Sequence, residues 1–174
     1  MNIPSFINNF NMYDSKNAKE EKLVGITDTV NLPDFKTITA SVSGAGIPGS
    51  IDMPVIGQFE SMSMDIPFRT MSKNMLNFVK GGTCALRLRG AIQESDDATG
   101  EIKASRMVVG IKGTVTKIAP GEVKVANGTN SSVGIEVTYI KISIDGKDVI
   151  ELNKLTGLFR INGEDAYADF SKYM

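Results

Sequence analysis

The chain has 174 residues, enough for one domain with a sizeable core, and its 19 Lys and Arg nearly balance 20 Asp and Glu. It has no histidine and a single cysteine, Cys84, which removes His-based acid–base catalysis, nucleophile–His pairs, most zinc chemistry and any internal disulfide. A net charge of −1 gives no global basic footprint for nucleic acid, and no apolar run reaches the ~18 residues that span a bilayer.

The first residues, Met1-Asn2-Ile3-Pro4-Ser5-Phe6, lack the basic and apolar regions of a secretory signal. The expectation is a protein made and kept in the cytoplasm, without stable membrane insertion. Residues 1–21 are an N-terminal arm of open role. From Phe35 to Gly44, Ile38, Ala40 and Val42 alternate with Thr37, Thr39, Ser41 and Ser43, the period-two pattern of a strand with one buried face. Gly44 to Gly57, with Gly44, Gly46, Pro48, Gly49, Pro54 and Gly57, reads as a long loop between two strands. Loops of that length usually carry a function or order on binding.

Alternation returns in Glu60–Ile66, where Met62, Met64 and Ile66 oppose Ser61, Ser63 and Asp65. Thr70–Lys80 is the one clear helix: Thr70 or Ser72 can cap it, Gly81-Gly82 stops it, and Met71, Met75, Phe78 and Val79 form its apolar stripe. It is expected to lie as a lid on the core. In Thr83–Gln93, Cys84, Leu86, Leu88 and Ile92 share a face, with Arg87 and Arg89 opposite. In Ile102–Ile118 the inner set is Met107, Val109, Ile111 and Val115. That run would extend about 55 Å as one strand, or break into two at Gly110 or Gly113. Pro120-Gly121 and Asn127-Gly128 bracket an exposed hairpin region.

Val133–Ile144 switches faces. Val133, Ile135, Val137 and Tyr139 lie on one side, Ile140, Ile142 and Ile144 on the other. Either a bulge restores the pattern, or the strand is buried on both sides by a neighbouring subunit. The second alternative makes Tyr139, Ile140, Ile142 and Ile144 inter-subunit candidates. Asp145-Gly146 is a two-residue hairpin signal, and Glu164–Tyr173 reads as a short C-terminal helix resting on Ala166, Tyr167 and Phe170.

Motifs that could carry chemistry do not survive their context. Gly44-Ala45-Gly46-Ile47-Pro48-Gly49 fits a dinucleotide fingerprint, but no helix follows to hold a pyrophosphate. Asp145, Asp148 and Glu151 lack the spacing of a calcium loop. Arg87, Arg89, Arg106 and Lys112 have no interleaved aromatics to stack bases, and read as solvated faces or inter-subunit ion pairs. Asp65 and Glu136 would be the acids of an enzyme without histidine, yet no spacing makes them converge. No catalytic, cofactor or metal residue is assigned.

The block Thr138–Asp165, running through Asp145-Gly146 to Asn162-Gly163, resembles the C-terminal half of the major tail tube proteins of contractile-tailed bacteriophages. Leu32-Pro33, Gly44-Ala45-Gly46, Gly49-Ser50 and Ser63-Met64-Asp65 are similar to its N-terminal half, so the likeness runs from about Leu23 to Met174. It implies a mainly β, antiparallel sandwich or barrel-like subunit in a single domain, one helix flanking the sheet and a short C-terminal helix. It further implies hexameric rings stacked into a tube within a virion, with a tail sheath protein outside. Baseplate or initiator and tail terminator proteins would close the ends, and tape measure protein and transiting DNA would occupy the lumen. Gly44, Gly46, Pro48, Gly49, Pro54 and Gly57 would then make the ring-to-ring contact. A phage-like bacteriocin or injection device, and a monomeric β-sandwich binding module, are the alternatives.

Overall fold

Alternating apolar and polar residues become antiparallel strands in the computed structural model, which describes residues 2–17 and 19–173. Met1, Ala18 and Met174, parts of the expected arm and domain, lie outside the described residues. In chain order the elements are β1 (Asn2–Asp14), β2 (Glu21–Lys22), β3 (Thr37–Gly44), β4 (Ile47–Phe59), β5 (Ser63–Phe68) and α1 (Lys73–Val79). They continue with β6 (Thr83–Asp96), β7 (Ile102–Ala119), β8 (Ser131–Ile144), β9 (Lys147–Asn153), β10 (Leu158–Ile161), β11 (Glu164–Asp165) and α2 (Ala168–Ser171). One sheet has the order β11-β10-β9-β8-β7-β6-β1-β2, with β5 also paired to β8; β3 and β4 form a separate hairpin.

The core is built from the inward halves of the alternating strands. Met62, Met64 and Ile66, then Cys84, Leu86 and Leu88, then Val109 and Ile111 are buried together. Phe68 and Phe78 are the largest side chains sealed inside. Ile92, Met107 and Val115 fall on the same faces but remain partly exposed toward the ends of the sheet. The run from Ile102 is one strand, not two: β7 pairs with β6 without interruption from Ile102 to Thr114.

The face switch in β8 is a bulge. Lys112 pairs with Tyr139 but Gly113 pairs with Val137, leaving Thr138 as the extra residue. Val133, Ile135, Val137 and Ile140 therefore all reach the same core. On its other edge β8 is divided: Ser131–Glu136 pairs with β5, and Tyr139–Ile144 pairs with β9. The division is bonded at the bulge itself, where Val137 N–H donates to the Met62 carbonyl (2.7 Å) and Thr138 accepts from Lys154 N–H (2.9 Å).

Helix α1 forms as expected, shortened to two turns, with Ser72 accepting from Met75 N–H as its cap. Met75 and Phe78 close the core, whereas Met71 is exposed. The expected short C-terminal helix is present but begins later than Glu164. Asn162 and Gly163 both take positive φ (51° and 84°), which folds Glu164–Asp165 back onto β10. Only Ala168–Ser171 remains helical. The turn geometry precedes the helix signal in the chain and takes its first residues.

The bulge needs Gly113. A Cβ there would drive into the Glu136 carbonyl and the Val137 backbone, whereas one on Gly110, in the same strand, would meet nothing within 4 Å. Gly113→Ala is expected to lower the unfolding free energy by about 1–3 kcal/mol, as overpacking against backbone does. Gly110→Ala is expected to be neutral or to stabilise by up to ~1 kcal/mol. Urea unfolding of the two variants followed by circular dichroism checks this; equal effects would mean that the strands can part at the bulge without cost.

Candidate assembly surfaces

The segment Gly44–Gly57, expected as a loop, is the turn and second strand of the β3–β4 hairpin. Ala45-Gly46 makes the turn, with Gly46 at φ 91° where side chains are strained. Pro48 and Gly49 fall in a register shift between the Ser43–Ser50 and Gly44–Ile47 pairs, so the missing proline N–H interrupts no ladder bond. Pro54 sits on a strand with a free outer edge. Gly57 is needed for contact, since the Tyr167 ring fills the space where its Cβ would be. Phe59 packs edge-on against Phe159 at 4.9 Å, fixing the root of the hairpin.

Beyond that root the hairpin has no core. Pairing of Ala40 with Met53 and of Val42 with Ile51 places Ile38, Ala40, Val42, Ile51 and Met53 on one face. That face, expected to be buried, is bare: Ile51 and Met53 are 55% and 54% exposed. The opposite face carries Thr39, Ser41, Ser43 and Asp52. This is an amphipathic two-stranded sheet without a partner layer among the described residues.

A second open surface is β1. The expected arm is a 13-residue strand paired along β6, with bulges at Ser5 and Asn8. β2 covers its outer edge only at Tyr13 and Asp14, so the edge from Asn2 to Met12 has no strand partner among the described residues. Ile3, Phe6 and Ile7 are exposed along it. Periodicity does not reveal this strand, because asparagines and the two bulges break the alternation; its apolar residues are the only signal.

Tyr139, Ile140, Ile142 and Ile144 lie on a strand whose two backbone edges are occupied by β7 and β9 of the same chain. Ile140 is in the core and Ile142 packs against it. Tyr139 points to the outer face, where its hydroxyl donates to Glu151 at 3.0 Å. Beside it Lys141 meets Asp148 at 2.8 Å, and Ser143 donates to the same carboxylate at 2.8 Å. The bonds from Lys141 and Ser143 hold Asp148 below the ordinary carboxylate range. Asp145 belongs to a different contact, the β8–β9 turn, where it accepts from Arg106 N–H at 2.8 Å. Asp145, Asp148 and Glu151 thus serve turn and cross-strand roles.

The basic residues are also engaged. Arg87 and Arg89 both bond Glu20, and Arg89 lies 4.8 Å over the Tyr13 ring. Glu136 accepts from Ser61 Oγ (2.7 Å) and Met62 N–H (3.1 Å), and Asp65 pairs with Gly134 along the strand. Glu136 is thereby tied to the backbone at the division of β8. Burial raises the Cys84 thiol to about 11. Among the described residues no three His, Cys, Asp or Glu gather as a metal site, and no helix is long and apolar enough to cross a membrane.

These features define a mainly β subunit with an apolar hairpin face and a strand edge left exposed among the described residues. The family described as Phage tail tube protein FII matches residues 4–174, and the chain belongs to it. The tail tube protein of Escherichia phage P2 is 26% identical over 143 residues, covering 81% of this chain and 82% of that one. The major tail tube protein of Serratia phage KSP20 is 36% identical over 66 residues, 38% of this chain and 39% of the relative. Among solved structures, the sheath/tube terminator of the extracellular contractile injection system PVC, in its extended state, superposes with a TM-score of 0.54. It is 12% identical, over 80% of this chain and 96% of that one. A chain of the PVC sheath-tube complex gives 0.51 at 13% identity, over 81% and 90%. These two likenesses are of fold.

Burial, reinforced by the bond to Glu151, raises the Tyr139 phenol to about 12. A raised pKa favours the neutral form in the folded state, so this contribution to stability is complete below pH ~10 and is lost as pH rises toward 12. The difference between absorbance titrations of wild type and Tyr139→Phe should show a midpoint near 12. Glu151→Gln should lower it. A midpoint at ~10 would place the phenol in water.

Proposed function

We propose that this protein is the repeating subunit of the inner tube of a contractile phage tail. Six copies close into a ring, and rings stack into a hollow tube through which DNA passes into the host. The sheath protein surrounds the tube, baseplate or initiator and terminator proteins bound its ends, and the tape measure protein occupies the lumen before DNA does. The subunit is synthesised in the bacterial cytoplasm and ends as a component of the virion. Family membership and the fold likeness to tube and terminator chains support this reading, and both sequence relatives are phage proteins, which favours a phage tail over a bacteriocin.

The observation that carries the proposal is the bare apolar face of the β3–β4 hairpin. An isolated two-stranded hairpin is marginal in water, and no described residue of the chain covers its exposed Ile51 and Met53. The turn and strand from Gly44 to Gly57 accordingly make the ring-to-ring contact, with Gly46, Pro48 and Gly49 shaping the tip and Pro54 and Gly57 its root. Tyr139 and Ile144 contribute to the contact between subunits through side chains, since their backbone edges are occupied, whereas Ile140 and Ile142 serve the subunit's own core. Arg87 and Arg89, which share the single carboxylate of Glu20 and keep a net positive charge, stay away from the lumen, where fixed cations would retard a passing polyanion.

Negative-stain microscopy of the purified protein over a concentration series tests this. Wild type should form hollow tubes. Deletion of Pro48–Pro54 should leave the thermal midpoint nearly unchanged, because no buried core residue is removed, while yielding rings or single subunits in place of tubes. Normal tubes from the deletion would remove the hairpin from the stacking contact.

A further inference from the structure

The loop between β7 and β8 carries the two most exposed large hydrophobic side chains among the described residues. Val123 and Val125 are 97% and 93% exposed. The loop is nevertheless held firmly at its base. Glu122 N–H donates to Thr129 (2.9 Å), and Asn130 N–H to Arg69 (3.1 Å). The Thr129 hydroxyl accepts from Met71 N–H at 2.9 Å, and Ser131 Oγ donates to Pro120 at 2.7 Å. Gly128 lies so close to the Arg69 carbonyl that no side chain fits there. A rigid base with valines projected into water is a prong. Because the base is fixed, the two valines can leave water only against another molecule, and burying side chains of that size is favourable.

The same chain has a matching depression. Between β1 and the segment that follows Ile26 lies a groove of about 560 Å³, lined by Ile7, Phe10, Val30, Leu32, Leu88 and Met107. Among the described residues, Asp28 is its one charged lining residue. The groove opens beside Met107 in the first half of β7, whereas the prong leaves from Ala119 at its end, about 40 Å further along the strand. The exposure of both valines shows that a subunit does not fill its own groove. The two surfaces carry opposite charges: Lys124 sits between the two valines, and Asp28 is among the residues that line the groove. The flat apolar face of the β3–β4 hairpin suits a flat partner; a two-residue prong suits a narrow groove.

We infer that the Val123–Val125 prong of one subunit seats in the Ile7–Leu32 groove of a second copy, with Lys124 pairing to Asp28. The contact is heterologous, prong to groove, so each subunit keeps one free member of the pair and the contact propagates. It rests on the self-assembly reading and adds a second contact, separate from the hairpin.

The test is a paired-cysteine variant, Val125→Cys with Leu32→Cys, in the full chain. Cys84 is buried and its thiol is raised to about 11, so it does not compete. Mild oxidation of assembled protein should give a ladder of dimers, trimers and longer species on a non-reducing gel, with neither single variant giving more than dimers. Val123→Asp with Val125→Asp should retain the wild-type thermal midpoint within about 2 °C and lose at least tenfold in assembly. Tubes that form normally with both aspartates, and no ladder, would overturn the contact and leave the tube reading standing. A ladder from concentrated protein that forms no tubes would keep the contact and sink the tube reading. Absence of both ladder and tubes in the wild-type background would overturn both.

Discussion

The structure depends on the division of β8 at Thr138. A strand has a side-chain period of two, so one inserted residue exchanges its faces. Without the bulge, Lys141 and Ser143 would turn toward the core and Ile140 would turn to water. With it, Val133, Ile135, Val137 and Ile140 form one continuous inner face. The same residue separates the two strands on the outer edge, β5 before it and β9 after it. Glu136 ties the division together by accepting from Ser61 and Met62, with Lys154 Nζ at 3.8 Å. Hydrogen bonds to a charged acceptor that is partly withdrawn from water contribute about 1.5–3 kcal/mol. A carboxylate that sequence alone offers as a catalytic acid is therefore a structural clasp.

Once the core closes around that division, no layer remains for the β3–β4 hairpin. Its root is held by Phe59 against Phe159 and by Tyr167 over Gly57, and Lys154 Nζ reaches the Glu60 carbonyl at 2.8 Å. The β9–β10 turn and the C-terminal tail are thus the support on which the hairpin stands. Its tip has no comparable contact. Fixing the root reduces the conformational freedom that a partner would otherwise have to remove, and that cost opposes every association. The arrangement is a projecting surface preorganised at one end.

What could be read from the sequence follows from where burial occurs. Met62–Ile66, Cys84–Leu88 and Val109–Ile111 alternate because one face meets the core, and each appears as expected. The Asp145-Gly146 turn was legible because both residues need positive φ, seen at 48° and 77°. The bulge was legible as one of two alternatives, since a broken alternation reports a change of face and not its cause. The second strand of the hairpin was hidden because Gly and Pro signal loops, and its Ile51 and Met53 are separated from them by only a few residues. β1 was hidden because its asparagines and its bulges at Ser5 and Asn8 erase the period. Both misread elements carry surface left open by the chain. Patterns tuned to a subunit's own core do not report elements that lie largely outside it.

Open edges and bare apolar faces are ordinarily routes to aggregation. Here each is guarded by a device that spoils simple strand addition. β1 carries Pro4 and two bulges, so a second strand cannot run along it in unbroken register. β4 carries Pro48 and Pro54, each removing a backbone donor from a free edge. The hairpin's polar face presents Asp52 between hydroxyls, and burying that carboxylate without a partner would be costly. What remains accessible is side-chain surface of defined shape on a backbone that resists indiscriminate pairing. Simple strand addition would strand these guards, whereas a complementary apolar surface in the correct orientation would cover the hairpin's apolar face and leave Asp52 in water.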